Sequence, residues 1–425
     1  MTRLLETLRD TQTAAGAVTG LALAILLVCR RQNPVYSLIF GALAGGLIGG
    51  LGLGGTVATM IAGVKDVVPA IVRILTAGVL SGALVKTGAA RRIAGALTGW
   101  LGQRNTLFAL AAATMFLTAI GVFIDVAVIT IAPIALAAGR TLPVSRLKLL
   151  LAMIGGGKCG NIISPNPNTI IAAENMGAPL PPVMAANLLP ALLGLAALAV
   201  ILRFARLPGE PAGAGAAADD GDGDKPPPLW ASLSGPAVAI GLLALRPLCG
   251  VTVDPLVALP AGGIAGILCA GQWRRLGASL AFGLEKMGAV ALLLVGTGTI
   301  AGVIKASVLG ELLLKGLGAA GIGGGLLAPV SGALMSAATA STTAGAAVAS
   351  ASFSQMILAA GVSAVWGAAM INSGATVLDH LPHGSFFHAT AGAMQAGPRE
   401  RLRLLPWETL IGAILAALTA AACFV

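Results

Sequence analysis

Apolar runs of roughly 17 to 25 residues recur along most of this chain, and that length is what a helix needs to cross about 30 Å of hydrocarbon. In the first half they fall at 14–29, 34–54, 67–88, 105–121, 123–139, 149–176 and 184–205. In the second they fall at 230–246, 255–271, 286–308, 316–340, 343–360, 362–393 and 407–425, so seven follow seven. With 10% charged residues against about 25% in an ordinary soluble protein, the chain cannot clothe a water-facing surface. It reads as an all-α polytopic membrane protein. The net charge of +10 sits mostly in short loops beside the runs, where topology explains it, so no nucleic-acid partner is expected. The five cysteines show no paired spacing, so neither a disulfide framework nor a zinc site is indicated. No small-residue cleavage pattern follows the first run before Arg30 and Arg31, so that run is expected to be retained as a helix.

The organisation is that of a duplicated unit. Residues 1–206 form a first transmembrane repeat, 207–228 a cytoplasmic hydrophilic linker carrying Glu210, Asp219, Asp220, Asp222 and Asp224, and 229–425 a second repeat. Gly78 and Gly82 match Gly298 and Gly302 at an offset of 298 − 78 = 220, and Pro165 matches Pro382 at 382 − 165 = 217. The arginines and lysines at 30–31, 91–104, 140–148, 203–206, 274–275 and 399–403 fall on one side if the runs cross alternately, Arg246 excepted. That side is then cytoplasmic. An odd number of runs per half inverts the second repeat, the architecture of many secondary transporters with midplane sites on broken helices. The stretches TAIGVFIDVAV and SAATASTTAGA are small and polar, which suits the tips of re-entrant hairpins buried in protein; the count is therefore about 10 to 14 spans.

Two interruptions carry most of the chemistry. GGGKCGNIISPNPNTIIAAENMG (155–177) breaks its run with prolines at 165 and 167, which remove backbone donors and disfavour helix before each. The half-helix that follows presents a partly positive N-terminus suited to an anion, with Ser164, Asn166, Asn168 and Thr169 as hydrogen-bonding groups; a proline kink satisfied by neighbours is the plainer account. Lys158 beside it either supplies positive charge for a carboxylate or snorkels to the interface. Glu174 and Asn175 cap or line the far end. NSGATVLDHLPHGSFFHATAG (372–392) holds Asp379 and all three histidines, His380, His383 and His388, where a proton relay competes with a structural role. Their spacing matches no metal motif, and no metal or other cofactor is expected. Asp125, an intramembrane carboxylate, is a functional candidate by default and a natural proton carrier. The hydroxyl run at 339–343 is either a helix-packing stripe or a substrate contact.

Together the two breaks resemble the gluconate permease family (GntP-type proton symporters) of the ion transporter superfamily. The resemblance implies uptake of gluconate or a related sugar or hydroxy acid with protons, by an elevator-like movement of the hairpins and broken helices. It places Ser164, Asn166, Asn168, Thr169, Ser341, Thr342, Thr343, Asp379, His383 and Ser385 around the substrate; read from the residues themselves, Lys158 is the added cation and Asp125, Asp379 and His383 are the proton-coupling candidates. The histidine-rich second break departs from the best-known gluconate members, so short hydroxy acids stay open. A sodium-coupled di- or tricarboxylate (citrate-type) carrier is the alternative, using freed carbonyls and side-chain oxygens as cation ligands; a membrane-embedded metal hydrolase and a passive channel are further rivals. No enzymatic activity is expected. The expected setting is the cell inner (cytoplasmic) membrane, multi-pass and surrounded by the lipid bilayer, as a homodimer, with a small organic anion as substrate.

Overall fold

The computed structural model describes residues 2–30, 32–101, 105–139, 144–207, 226–243, 245, 251, 253–309, 324–382 and 384–423. The linker core 208–225, the basic positions Arg31, Arg104, Arg140 and Arg246, and His383 lie outside them. The first half runs α1 (Thr2–Cys29), α2 (Pro34–Ile48), α3 (Gly52–Lys86), α4 (Ala89–Leu101), α5 (Thr106–Ala119), α6 (Ile124–Gly139), α7 (Arg146–Asn161), α8 (Pro167–Met176), α9 (Leu180–Ala186) and α10 (Leu188–Phe204). The second runs α11 (Leu229–Leu243), α12 (Pro255–Cys269), α13 (Leu276–Lys305), α14 (Leu327–Thr339), α15 (Thr342–Ala359), α16 (Ala364–Gly374), α17 (Ser385–Ala393), α18 (Pro398–Arg401) and α19 (Leu405–Cys423).

Four helical stretches among the described residues are long and apolar enough to cross a bilayer: Gly52–Lys86, Leu180–Phe204, Trp273–Lys305 and Arg399–Cys423. They pair across the halves at nearly one spacing: 305 − 86, 399 − 180 and 423 − 204 all equal 219, and 273 − 52 equals 221. Smaller details repeat as well. Asn33 caps α2 by accepting from the Val35 amide at 2.9 Å, with Pro34 at the first helical position; Asp254 caps α12 through Leu256 at 2.8 Å, followed by Pro255. Large apolar side chains such as Tyr36, Phe40, Leu192 and Val200 lie exposed on the outer faces, as a lipid environment requires.

The helices form two bodies. Helices α1–α3 pack with α11–α13, and the hairpins, broken helices, α10 and α19 pack with one another. The first body is built around the seam between α3 and α13, where a Cβ on Gly63 would meet Gly298 and Gly302, one on Gly78 would meet Gly283, and one on Gly82 would meet Ser279. Rising numbers on α3 meet falling numbers on α13, so these equivalent helices run antiparallel. Small residues let the backbones touch, the usual basis of helix association where lipid is as apolar as leucine. Both helices start earlier than their apolar runs, which the sequence places at 67 and 286. The extra turns carry Lys65, Asp66 and Glu285, which break the apolar pattern; one of them, Asp66, pairs with Lys305 at 3.0 Å on the exposed side of the helices.

Helix α4 occupies a stretch whose Arg91 and Arg92 read as loop charges. Here Ala89, Ala90, Ile93 and Ala94 are buried while both arginines are exposed, an amphipathic pattern. Helices α5 and α14 have 14 and 13 residues, about 20 Å of rise each, which is too short to cross. Each turns back into its partner, α6 or α15, at Ile120–Phe123 and at Ala340–Ser341, the two tips expected of hairpins. Helix α7 lies flat on α5 because Gly156 and Gly160 face the Ala111 and Met115 carbonyls, where a Cβ would come to 2.0 and 2.1 Å.

A substitution at the α3–α13 seam tests this packing. Gly82→Val forces a Cβ to within 2.0 Å of the Ser279 carbonyl. It is expected to cost about 1–3 kcal/mol, read as a lower unfolding temperature of detergent-solubilised protein. Gly95→Val on α4, where a Cβ would meet nothing within 4 Å, is the control and should unfold like the parent.

Candidate functional site

Helix α7 stops at Asn161 and α8 starts at Pro167; helix α16 stops at Gly374 and α17 starts at Ser385. Both interruptions lie against a hairpin tip. In the first, Gly121 approaches Pro165. In the second, Gly384 lies under Ala340, so closely that a Cβ would come to 2.4 Å from the Ala340 carbonyl. Ala340 itself has φ +46°, a left-handed conformation unusual for alanine, held at the tip of the turn.

The second break is organised by Lys158. Its ammonium, fully buried, donates to Asp379 Oδ1 at 2.6 Å, to the Thr376 carbonyl and to His380 Nδ1 at 3.1 Å. Asp379 Oδ2 accepts from the Thr342 hydroxyl at 2.6 Å, which ties the second hairpin to the same point. Toward the ammonium, which has donors only, His380 Nδ1 presents its lone pair, whereas toward Asp379 Oδ1, 3.2 Å away, it would donate; we assign the shorter, ammonium contact. The hydrogen is then on Nε2, within 3.1 Å of the Leu405 carbonyl and of Thr409 Oγ1 on α19. Lys158 therefore neither snorkels nor reaches the cavity in this conformation: it is locked inside the wall.

The first break is polar and neutral. Asn168 Nδ2 donates to Asn372 Oδ1 at 2.7 Å; Asn372 Nδ2 donates to Thr169 Oγ1 at 3.0 Å and to the Ile162 carbonyl at 3.2 Å. Asn187 Nδ2 lies 3.2 Å from Ile162 O and 3.3 Å from Ala369 O, and Asn187 Oδ1 accepts from Thr419 at 2.9 Å. Asn166 Nδ2 donates to Asn161 Oδ1 at 2.9 Å, whereas Asn166 Oδ1 and the Ser164 hydroxyl are buried without a protein partner.

A cavity of about 880 Å³ opens between the bodies. One wall holds Val28, Gln32–Val35, Lys286, Ala289, Val290, Leu292 and Leu293; the other holds Asp125, Asn161, Asn168, Thr339–Ala344, Asp379, Ser385 and His388. The N-termini of α6, α8, α15 and α17 all reach it or the breaks beside it. Those of α6 and α15 are capped by Asp125, through the Val126 amide at 2.9 Å, and by Ser341, through Ala344 at 3.3 Å. Those of α8 and α17 have no side-chain cap, which leaves donors and partial positive charge for another acceptor.

Of the residues singled out from sequence, the structure gathers Asn168, Ser341, Thr342, Thr343, Ser385, Asp125 and Asp379 at the cavity. Ser164, Asn166, Thr169 and Lys158 lie buried behind it. Asn161, Asn372, Thr376 and Thr409 were not singled out, because only the fold brings their polar atoms into the breaks. Glu174 does not line the break. It pairs with Arg73 of α3, which Asp254 grips from the other side at 2.8 to 3.2 Å and which in turn holds the Asp254 carboxyl below the usual carboxylate range. Asn175 donates to Ser350 at 2.9 Å. Two arginines that sequence counts as loop charges are structural: Arg401 is buried against Glu408 and over the Phe387 ring, and Arg146 donates to the Gln395 carbonyl at 2.7 Å. No group of three His, Cys, Asp or Glu side chains among the described residues converges as metal ligands.

Comparison with known proteins gives the lineage. Residues 13–260 match the model of the GntP family permease, and an uncharacterized transporter of Haemophilus influenzae is 49% identical over 410 residues, 95% of this chain and 96% of that protein. The chain belongs to the GntP permease family. A further relative, the inner membrane permease YgbN of Escherichia coli, is 30% identical over 160 residues, 37% of this permease and 35% of that one. The crystal structure of the Alcanivorax borkumensis YdaH transporter, described as having an unusual topology, shares the fold with a TM-score of 0.60 at 18% identity, covering 87% of this chain and 88% of that one. The protein is thus an integral membrane permease with transporter relatives.

The Lys158–Asp379 pair makes a quantitative expectation. Lys158→Met or Asp379→Leu alone strands one buried charge and is expected to cost about 3–5 kcal/mol, whereas the double variant should recover much of that. Thermal unfolding of the four proteins checks it, and additive losses would count against the pairing.

Proposed function

We propose that this permease takes up gluconate or a related small sugar or hydroxy acid with protons, across the cytoplasmic membrane, by an elevator-like movement of the hairpin body against the α1–α3/α11–α13 body. The observation that carries the reading is the charge balance behind the cavity. Lys158, Asp379 and neutral His380 sum to zero, buried away from water. A monoanion entering alone would leave net negative charge in a low-dielectric site, and a proton entering alone would leave net positive charge. Both states are disfavoured, while loading the two together restores neutrality. A unit charge acting across one layer of side chains, at an effective dielectric near 20, is worth about 2–3 kcal/mol, or roughly 30- to 150-fold in affinity. That is enough to couple one flux to the other.

The cavity wall supports the substrate class. Amides and hydroxyls from Asn161, Asn168, Ser341, Thr343 and Ser385 suit a hydroxylated acid, and the uncapped N-termini of α8 and α17 suit its carboxylate. Asp125 at the other tip is a second proton candidate, because a carboxylate sharing the cavity with an anion repels it unless protonated. We read the two halves as inverted repeats on the antiparallel run of α3 and α13 and the 219-residue spacing. Movement of the hairpin body then parts Glu174 from Arg73 while Arg73 keeps Asp254 on its own body.

One observation favours a sodium-coupled carboxylate carrier: the buried, unpartnered oxygens of Ser164 and Asn166 beside freed carbonyls are the ligand type sodium takes. A single experiment separates the two. Proteoliposomes loaded without sodium and given an inward proton gradient are expected to accumulate labelled gluconate, with collapse on adding a protonophore. Sugar acids, short hydroxy acids and citrate as unlabelled competitors rank the substrate class. Accumulation that appears only with sodium transfers the assignment to the carboxylate-carrier reading, and accumulation under neither gradient overturns both.

A further inference from the structure

The proton-symport reading leaves open which group receives the proton. We propose that His380 takes it, and that protonation exchanges the partner of Asp379 from Lys158 to the imidazolium, unlocking Lys158 as the positive charge that admits the anion. The proposal rests on the proton-symport reading.

The argument starts from counting hydrogens. The Lys158 ammonium has three N–H groups and finds three acceptors, the Thr376 carbonyl, Asp379 Oδ1 and His380 Nδ1, so none is left for a substrate. Releasing one requires an acceptor to become a donor. A backbone carbonyl cannot. Asp379 is a poor place for the proton, because both of its oxygens already accept, one from Lys158 and the other from Thr342, and protonation forfeits at least one charge-assisted bond. As the Nε2–H tautomer, His380 turns the Nδ1 lone pair to the Lys158 ammonium at 3.1 Å, and Nδ1 lies 3.2 Å from Asp379 Oδ1 as well. When Nδ1 gains a hydrogen it can no longer face the ammonium, and the nearest acceptor is that same carboxylate oxygen. The swap needs a shift of one hydrogen bond, not a rearrangement of the fold.

The surroundings favour the ring staying in place while this happens. Nε2–H stays on α19, held by the Leu405 carbonyl and Thr409 at 3.1 Å. From α7 the ring faces Lys158; from its own segment, Asp379; from α15, Thr342 through Asp379. On α19 the neighbouring carboxylate, Glu408, is engaged by Arg401 at 3.0 Å and is not turned to the ring. The bookkeeping of charge is complete: His380 gains one proton from the side to which the cavity opens, Asp379 stays ionised, Lys158 stays protonated, and the cluster passes from neutral to +1. A monoanion in the cavity, where Asp379 and Thr342 form part of the wall, returns it to neutral. Release on the other side reverses each step, and the proton leaves Nδ1 as Lys158 returns.

His380→Asn keeps an acceptor for Lys158 but cannot be protonated, and His380→Gln is its longer counterpart. In proteoliposomes both keep Lys158 engaged and are therefore expected to lower counterflow of labelled gluconate against unlabelled gluconate together with accumulation, in protein that unfolds at the parent's temperature. Proton-driven accumulation should fall by about 5- to 150-fold, the range of ordinary coupling free energies, and its pH dependence should flatten. Accumulation with the parent's pH profile in either folded variant overturns the proposal. Parent-like counterflow in either folded variant also overturns it, because the anion then enters without the exchange of partners. A measurement on the unaltered protein guards against variants that do not fold. With three histidines in the chain, nitrogen-15 histidine spectra can follow each ring. His380 is expected to be the Nε2–H tautomer at alkaline pH and to gain a second N–H on entering the range where transport is active. A ring that starts as the Nδ1–H tautomer, or that never gains the second hydrogen while transport runs, overturns the proposal. The symport reading itself is judged on the parent protein, and uptake driven by sodium alone would remove both.

Discussion

A buried ammonium needs three acceptors, and no water is at hand to supply them. Lys158 meets that demand with groups drawn wholly from the other half of the chain: the Thr376 carbonyl, which the end of α16 leaves to face inward, the Asp379 carboxylate and the His380 ring. Asp379 then holds Thr342, so the second hairpin tip is fixed by the same charge. The site could not be assembled with an unbroken α7 or α16. The breaks are thus more than sites of access; they provide the backbone and side-chain acceptors that make a charge at this depth tolerable. In the first break the same structural problem is solved without charge, by the chain of amides through Asn168, Asn372 and Asn187. One break is settled by charge and the other by a neutral hydrogen-bonding surface.

Much of the architecture was legible because lipid imposes it. A hydrocarbon core demands apolar segments of known length, so the order of elements, the two short hairpins and the two interruptions follow from hydropathy, proline and glycine. What was not legible depended on long-range pairing. Lys158 and Asp379 are separated by 379 − 158 = 221 residues, and nothing local to either says that they meet. Read alone, Lys158 looked able to touch a substrate or to reach the interface; its actual place inside the wall depends on acceptors supplied by the second break. The long starts of α3 and α13 were hidden for the same reason. Charged residues end an apolar run on paper, whereas Lys65, Asp66 and Glu285 lie within continuous helices of the folded molecule, Asp66 paired with Lys305.

The cavity residues divide along similar lines. Side chains that end a hairpin or begin a half-helix were found from sequence, because turn and cap chemistry marks them: Ser341, Thr342, Thr343, Ser385 and Asn168 all do so. Ser164 and Asn166 carry the same composition but face away from the opening, and only backbone geometry at the prolines decides which of these neighbours points where. Arg146 and Arg401 show the limit of reading charge as topology. Each has the position of a loop cation, yet both are engaged in closing the end of α17, so their contribution to orientation cannot be separated from their contribution to folding.

The charge arrangement also constrains what can be carried. A cluster that moves between neutral and +1 is balanced by one negative charge. A dianion bound in the same cavity would leave a net charge of −1 unless Asp125 or the substrate itself took a second proton, and Asp125 would add to the repulsion otherwise. Citrate-type substrates need more positive charge than this wall holds: of the described lysines and arginines, Lys286 alone lines the cavity, and it belongs to the body that would stay behind during movement. A monocarboxylate with several hydroxyls, by contrast, meets amides and hydroxyls along its length and a positive charge at one end. On the proposed symport reading, the geometry that makes Lys158 tolerable in the membrane also sets the charge of the cargo, and hydroxyl count and chain length are left to the neutral wall of the first break.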